Sequence, residues 1–335
     1  MLDVMFTISS HTLNYPSHIL GYVSIPGNLY KARNYQVQAL PPSSVILNAD
    51  EGRKFSDSKK IYGSKLASVK GEPCDSLVSQ VSSVGIIGGV SVDATLKFLR
   101  KLVEFSSEDG ENSLPFVLCS DPVLSKELLS YEKSYFLSGR SKAGSVKFDS
   151  SPIVQNLRNK RVFLENSGAR CILMPCHISH CWYEEVSKGC SVPFLHMAEC
   201  VARELKEAKL KPLEAGSPLR IGVLATNATL AAGFYQKKLE NEGFEVVLPD
   251  RATMEHTVIP AIEALNGKDI EGACNLLRIA LQVLLVRAVN CVILASDDMR
   301  NLLPQDDPLL KKCIDPTESL ARSTIKWLKS SEENA

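Results

Sequence analysis

The segment Pro175-Cys176-His177-Ile178-Ser179-His180 sets one thiol and two imidazoles directly after the apolar run Cys171–Met174. A thiol at a strand end with a helix starting after it feels the helix N-terminal dipole. Its pKa can then fall from ~8.5 into the 3.5–7.5 range, which puts thiolate within reach at neutral pH. His180, four residues on, would lie on the same helical face and could hydrogen-bond the thiol or a substrate. The alternative is that Cys176 is one more buried strand cysteine among ten. Metal chemistry is tested by spacing. Cys171, Cys176, His177, His180, Cys181, Cys190, His196 and Cys200 fall within thirty residues. Structural zinc uses two short Cys/His pairs, whereas C-x4-C-x4-C puts Cys171 and Cys176 at opposite ends of one strand. No metal is expected.

A second group of polar residues follows the apolar runs of the C-terminal half. Ser296-Asp297-Asp298 follows Cys291–Ala295, and Thr226 and Thr229 follow Arg220–Ala225. Strand-to-helix turns are ready anion sites, so backbone N–H groups after Gly88-Gly89, Cys176 and Thr226 suit a small carboxylate. Either threonine can equally be a helix cap. No G-x4-G-K-[ST] loop occurs, and Gly88-Gly89 is not a G-x-G-x-x-G, so nucleotide binding has little support.

These groups need strands and helices to hold them. Apolar runs at Val84–Gly89, Phe116–Pro122, Cys171–Cys176 and Val192–Met197 read as strands, the first followed by an amphipathic helical pattern and the last by the helix Ala198–Lys209. After the break Lys211–Pro218 come a strand at Arg220–Thr226, one helix to about Glu242 and the strand Phe244–Pro249. Helical stretches at about Thr257–Leu265 and Asp269–Ala288, the strand Cys291–Ser296 and a last helix, Thr317–Lys329, complete the series. Phe136–Val146 reads as a loop whose Arg140 and Lys142 are surface charges or partners for a distal carboxylate. Strands alternating with helices give an α/β fold with parallel sheets.

A weak internal repeat organises them. Gly85-Ile86-Ile87 matches Gly222-Val223-Leu224, and an offset of 120 lays Cys171–Cys176 over Cys291–Ser296. Each half then ends a central strand in a nucleophile, Cys176 in one and Ser296 in the other. Ligands of open parallel sheets bind beyond the carboxyl ends of the strands. Two facing halves put both residues on one cleft.

Composition bounds the rest. With 335 residues, 44% hydrophobic, 23% charged and 38 residues of each charge sign, the chain reads as a globular protein with no field for nucleic acid or a membrane surface. The longest apolar stretch, around Ile279–Val286, is far short of the ~18 residues a span needs. Residues 1–48 are acid-poor and serine-bearing, and read as an organelle transit peptide, with a flexible tail as the alternative. Residues 49–83 read as a linker, 84–212 and 219–303 as two α/β domains, and 304–335 as a segment whose helix returns to the first.

Taken together, GIIGG, PCHISH, VLATNATLAAGFY and VILASDDM resemble the aspartate/glutamate racemase family from about Val84 to Leu328. The resemblance implies two pseudo-symmetric α/β domains, each a parallel sheet flanked by helices, with the site between them and no cofactor. It implies two cysteines flanking the substrate α-carbon. Cys176-His177-Ile178-Ser179-His180 resembles the family's C-N-T-A-H motif, and Ala295-Ser296-Asp297-Asp298 resembles its G-C-T-E motif. By that carry-over Cys176 and Ser296 are the catalytic pair. Ser179, Thr226 and Thr229 lie in the segments that hold the substrate's carboxylate and amine, with Gly89, Ser120, His177, Ile178 and Asp298 also around it. An organelle-targeted, plant-like member in a chloroplast or other plastid is expected, with a mitochondrial or cytoplasmic location as the alternative. Paired subunits are usual in proteins resembling this family, so a homodimer is expected.

The departures carry weight. His177 replaces Asn, Ile178 replaces Thr, and Ser296 replaces the second Cys. A serine hydroxyl near water's pKa of ~15.7 lies roughly 7 units above a thiol, about 10 kcal/mol at 1.36 kcal/mol per unit. One hydrogen bond cannot offset that. Three readings follow. Ser296 relays a proton through Asp297, Asp298 or water in a racemase or epimerase of acidic amino acids. Cys176 alone decarboxylates or isomerises a small dicarboxylate. Or the cleft binds a small molecule without turnover.

Overall fold

The computed structural model describes residues 83–108, 114–138, 148–213, 215–297 and 299–332, all inside one compact unit, Val69–Ala335. The expected transit segment, all but the last residue of the expected linker, Arg140, Lys142 and Asp298 lie outside the described residues.

The first half runs β1 (Ser83–Ile87), α1 (Val92–Glu108), β2 (Phe116–Cys119), α2 (Pro122–Ser138), α3 (Ser151–Asn166) and β3 (Ala169–Leu173). A 3-10 turn, Ile178–Trp182, then enters α4 (Tyr183–Ser187), followed by β4 (Phe194–Leu195) and α5 (Met197–Glu207). The second half runs β5 (Arg220–Ala225), α6 (Asn227–Ala232), α7 (Phe234–Asn241) and β6 (Glu245–Val247). The helix α8 (Arg251–Thr253) continues through a π turn, Met254–Val258, into α9 (Ile259–Asn266). Then come α10 (Ile270–Val286), β7 (Cys291–Ala295), β8 (Cys313–Ile314) and α11 (Pro316–Glu332).

Both sheets are parallel and four-stranded, with the same order: β2-β1-β3-β4 and β6-β5-β7-β8. The inner strands are apolar on both faces because helices cover both, the condition under which parallel sheets form. Register makes the repeat quantitative. Gly85 of β1 pairs with Ile172 of β3, and Gly222 of β5 pairs with Val292 of β7, which is the 120-residue offset that aligns Cys176 with Ser296.

One apolar cluster binds the halves together. It joins Ile86 and Leu173 of the first sheet to Val223 and Ile293 of the second, through Tyr235 and Leu320. The helix α11 lies on α1 and α5, and Lys101 of α1 pairs with Asp315 and Glu318 at its start.

Local differences from the sequence reading have local causes. The helix expected to reach Glu242 breaks into α6 and α7 at Gly233, whose φ of +67° is left-handed and suits glycine. Helices α2 and α3 fill a stretch given no helix in the sequence reading, and α2 takes the first residues of the expected loop Phe136–Val146. No helix among the described residues is long and apolar enough to cross a membrane.

Candidate active site

Four strand ends meet at the site. After β1 the chain turns through Gly88-Gly89, where Gly88 N–H donates to Cys119 O (2.8 Å) and Ser125 Oγ–H donates to Gly89 O (2.8 Å). After β3 it runs Met174-Pro175-Cys176-His177 into the 3-10 turn. After β5, Thr226 starts α6 with its Oγ1 3.3 Å from Thr229 Oγ1. After β7 come Ser296 and Asp297. All are carboxyl ends of parallel strands, where such sheets leave a crevice.

The thiol is sealed. Cys176 is 3% exposed, and the β1 loop lies directly on it. A Cβ on Gly89 would fall 2.0 Å from Cys176 Cβ and 2.4 Å from its Sγ, so only glycine allows this approach. The expectation of a lowered thiol pKa is therefore corrected. Burial pushes the Cys176 thiol well up, and the Asp297 carboxylate pushes it further; Val90 N–H and the hydroxyl and N–H of Ser179 favour the thiolate without winning. The turn that follows is five residues of 3-10 helix, too short to supply a large opposing dipole.

The neighbouring imidazoles are committed elsewhere. His180 makes no hydrogen bond to the thiol: its Nε2–H donates to Met174 O (2.9 Å), its buried Nδ1 has no hydrogen-bond partner, and its ring stacks with Tyr183 at 5.9 Å. Burial holds its pKa down to about 4. His177 sets Nδ1 3.0 Å from Tyr235 Oη and Nε2 3.7 Å from Asp297 Oδ1. Burial lowers its pKa to about 3, so the ring is neutral near pH 7. Its pairing with Asp297 is polar contact between halves, not an ion pair.

Two connected spaces open beside these residues. The inner one, about 40 Å3, is lined by His177, Ile178, Thr226, Thr229, Ser296 and Asp297, with Val90, Ser91, Glu132 and Ala295. At the ~10–15 Å3 a water requires, it holds about three waters. The outer one, about 500 Å3, shares Val90, Glu132, Thr226 and Ser296 with it and continues along α2, α9 and the turn after β7. Of the residues expected around a substrate, the structure gathers His177, Ile178, Thr226, Thr229 and Ser296 on the inner wall. Cys176, Gly89 and Ser179 line neither space, and Cys176 and Ser179 are buried. Ser120 is exposed and lines neither.

Glu132, which lines both spaces, is absent from the sequence reading. Its signal was the spacing of Leu124, Leu128 and Tyr131, buried or half-buried on one face of α2, which marks a helix that covers the cleft. Among the described residues no group of three or more His, Cys, Asp and Glu could hold a metal ion.

Comparison with known proteins agrees with this architecture. Residues 87–324 match the family model for Asp/Glu/hydantoin racemases. The broad specificity amino-acid racemase RacX of Bacillus subtilis is 24% identical over 245 residues, covering 72% of this chain and 96% of that protein. The aspartate racemase of Picrophilus torridus superposes with a TM-score of 0.55 at 26% identity, over 74% of this chain and 94% of that one. An aspartate racemase homologue from Pyrococcus horikoshii shares the fold, with a TM-score of 0.58 at 23% identity over 74% of this chain and 100% of the other. With its two matched sheets, its facing strand ends and a family model spanning most of its length, the chain belongs to the Asp/Glu/hydantoin racemase family.

Proposed function

We propose that the protein is a cofactor-independent amino-acid racemase or epimerase in which Cys176 transfers the α-proton on one face of the substrate. The observation that carries this reading is the cavity at the carboxyl ends of β5 and β7, whose wall includes His177 and Ile178, the two residues that follow the buried Cys176. Thr226 and Thr229 offer hydroxyls to a carboxylate there, and Asp297 and Glu132 offer negative charge to an ammonium.

The resting thiol is protonated, so Cys176 is an acid before it is a base. An ammonium group paired with Asp297 would cancel much of the charge that opposes thiolate formation, and would couple ionisation to substrate binding. On the opposite face Ser296 is too weak an acid to replace a thiol. It can pass a proton to or from the adjacent Asp297 carboxylate or water. This slows proton transfer on the Ser296 face relative to the Cys176 face. Ser296 also favours a second reading, in which Cys176 acts alone as a single-face decarboxylase or isomerase of a small dicarboxylate.

Solvent deuterium separates the readings. The full chain incubated in D2O with L- and D-amino acids should wash deuterium into the α-position, seen as loss of the α-proton resonance. Cys176→Ala should abolish that exchange, and a carbonyl-trapping reagent should leave it intact because no imine-forming cofactor takes part. Decarboxylation or isomerisation of a dicarboxylate without α-exchange would replace the racemase by the second reading. We also carry forward residues 1–48 as a plastid address and the homodimer as the assembled form, open to reporter fusion and sedimentation respectively.

A further inference from the structure

We propose that this site takes an amino acid with an uncharged, apolar side chain, which occupies the outer chamber while the amino-acid head sits in the inner cavity. The inference rests on the amino-acid reading above and replaces the acidic substrate expected from the sequence by an apolar one.

The chamber is built for carbon. Beyond the four residues it shares with the inner cavity, its walls are largely Leu129 of α2, Ala261, Ile262 and Leu265 of α9, and Met299 and Leu302 after β7. These come from three separate elements, so the apolar lining is not one helix face showing through. At about 500 Å3 the chamber falls within the range of small-molecule pockets, and an aspartate side chain would leave most of it wet.

Charge points the same way. Among the described residues lining the two spaces, Lys133 is the one full cation, and it is exposed. Glu132 precedes it and lines both spaces, while Asp297 lines the inner one and His177 is held neutral by burial. A second carboxylate on the substrate would lose its hydration to largely apolar walls, and no buried cation among the described lining residues receives it. A basic side chain would find Glu132 at the junction and, beyond it, mainly hydrocarbon, with Asn227, Asn266 and the exposed Lys133 as the polar exceptions. An apolar side chain meets none of these costs.

The test measures α-deuteration by the full chain with L-methionine, L-leucine and L-phenylalanine against L-aspartate, L-glutamate and L-lysine at equal concentration. The best apolar substrate should exceed the acidic and basic ones at least tenfold in kcat/KM, the scale on which a well-fitted hydrophobic pocket discriminates. Faster exchange with aspartate, glutamate or lysine would overturn this inference and leave the racemase reading standing. If nothing exchanges, calorimetric titration with L-methionine and L-glutamate decides. Tighter binding of methionine keeps the assignment of the chamber while sinking catalysis, and equal or absent binding sinks both. Leu129→Lys supplies a check at a position exposed enough to accept the change (39%). In the folded variant the glutamate-to-methionine ratio should rise at least tenfold, and an unchanged ratio would overturn the inference.

Discussion

The ends of β3 and β7 occupy the same place in two sheets of the same order, yet they have opposite environments. Cys176 is buried under the Gly89 backbone, with its ionisation opposed by desolvation and by Asp297. Ser296 stands on the wall of both spaces. The repeated backbone thus sets chemically unlike groups at matched strand ends. The first half holds an ionisable group that is hard to ionise. The second holds an accessible hydroxyl that does not ionise, beside Asp297.

The strongest way to test this contrast is to make the two ends chemically alike. Ser296→Cys restores a thiol where the register places the counterpart of Cys176. A positioned acid-base group contributes about 10²–10⁴-fold. The variant should therefore raise α-proton exchange of the enantiomer whose α-hydrogen faces position 296 by at least ~10²-fold, measured with each enantiomer separately in D2O. A folded variant with no gain would break the claim that the two strand ends face one α-carbon.

Much of this asymmetry was legible before any coordinates. The 120-residue offset rests on backbone pairing, which apolar strand composition reports well, so the strands, their repetition and the two polar strand ends could be read from residues alone. The sign of the Cys176 shift could not. It depends on what lies above the sulfur, and Gly88-Gly89 reads in sequence only as a turn, not as a seal pressed on a residue 87 positions later. His180 misled for a related reason: its spacing suits a thiol partner, but its Nε2–H goes to Met174 O, a contact that only the folded backbone reveals. Glu132 escaped because α2 carries polar residues around most of its circumference, and the Leu124, Leu128, Tyr131 face is narrow.

The seal itself can be broken. In Gly89→Ala the new methyl would overlap Cys176 at separations that no side chain tolerates, and the clash is with a short side chain and its Cα (3.4 Å), with no flexible end to yield. The loop must lift or the thiol must move. Forced overpacking costs ~1–3 kcal/mol, which urea denaturation should report as a lower midpoint. Mass-spectrometric mapping of iodoacetamide labelling should show Cys176 modified sooner than in the parent, while buried Cys171, far from the loop's contact with the sulfur, stays protected. An unchanged midpoint with unchanged labelling would mean that the β1 loop does not close the first half, and the contrast with Ser296 would lose its cause.

The smallest effect lies in the acid response, and it sharpens the comparison because the neutral imidazoles cluster in the first half. His177 and His180 have folded pKa values of about 3 and about 4, each lowered first by burial, against ~6.5 in an unfolded chain. A folded pKa below the unfolded one gives stability that is complete above the unfolded value and is lost as pH falls toward the folded value. The denaturation midpoint should thus be flat between about pH 7 and 8, below the range in which thiols held protonated by burial ionise in the unfolded chain, and decline from ~6.5 toward ~4. His177→Asn removes one of these protons and should reduce the slope near pH 5 by about 1.36 kcal/mol per pH unit. It also replaces the ring that meets Asp297 and Tyr235, so the parent and variant must be compared by slope and not by absolute stability. A slope that does not change would show that His177 gains its proton without unfolding, by opening the same wall that covers the thiol. The sealed first half would then be a gated one.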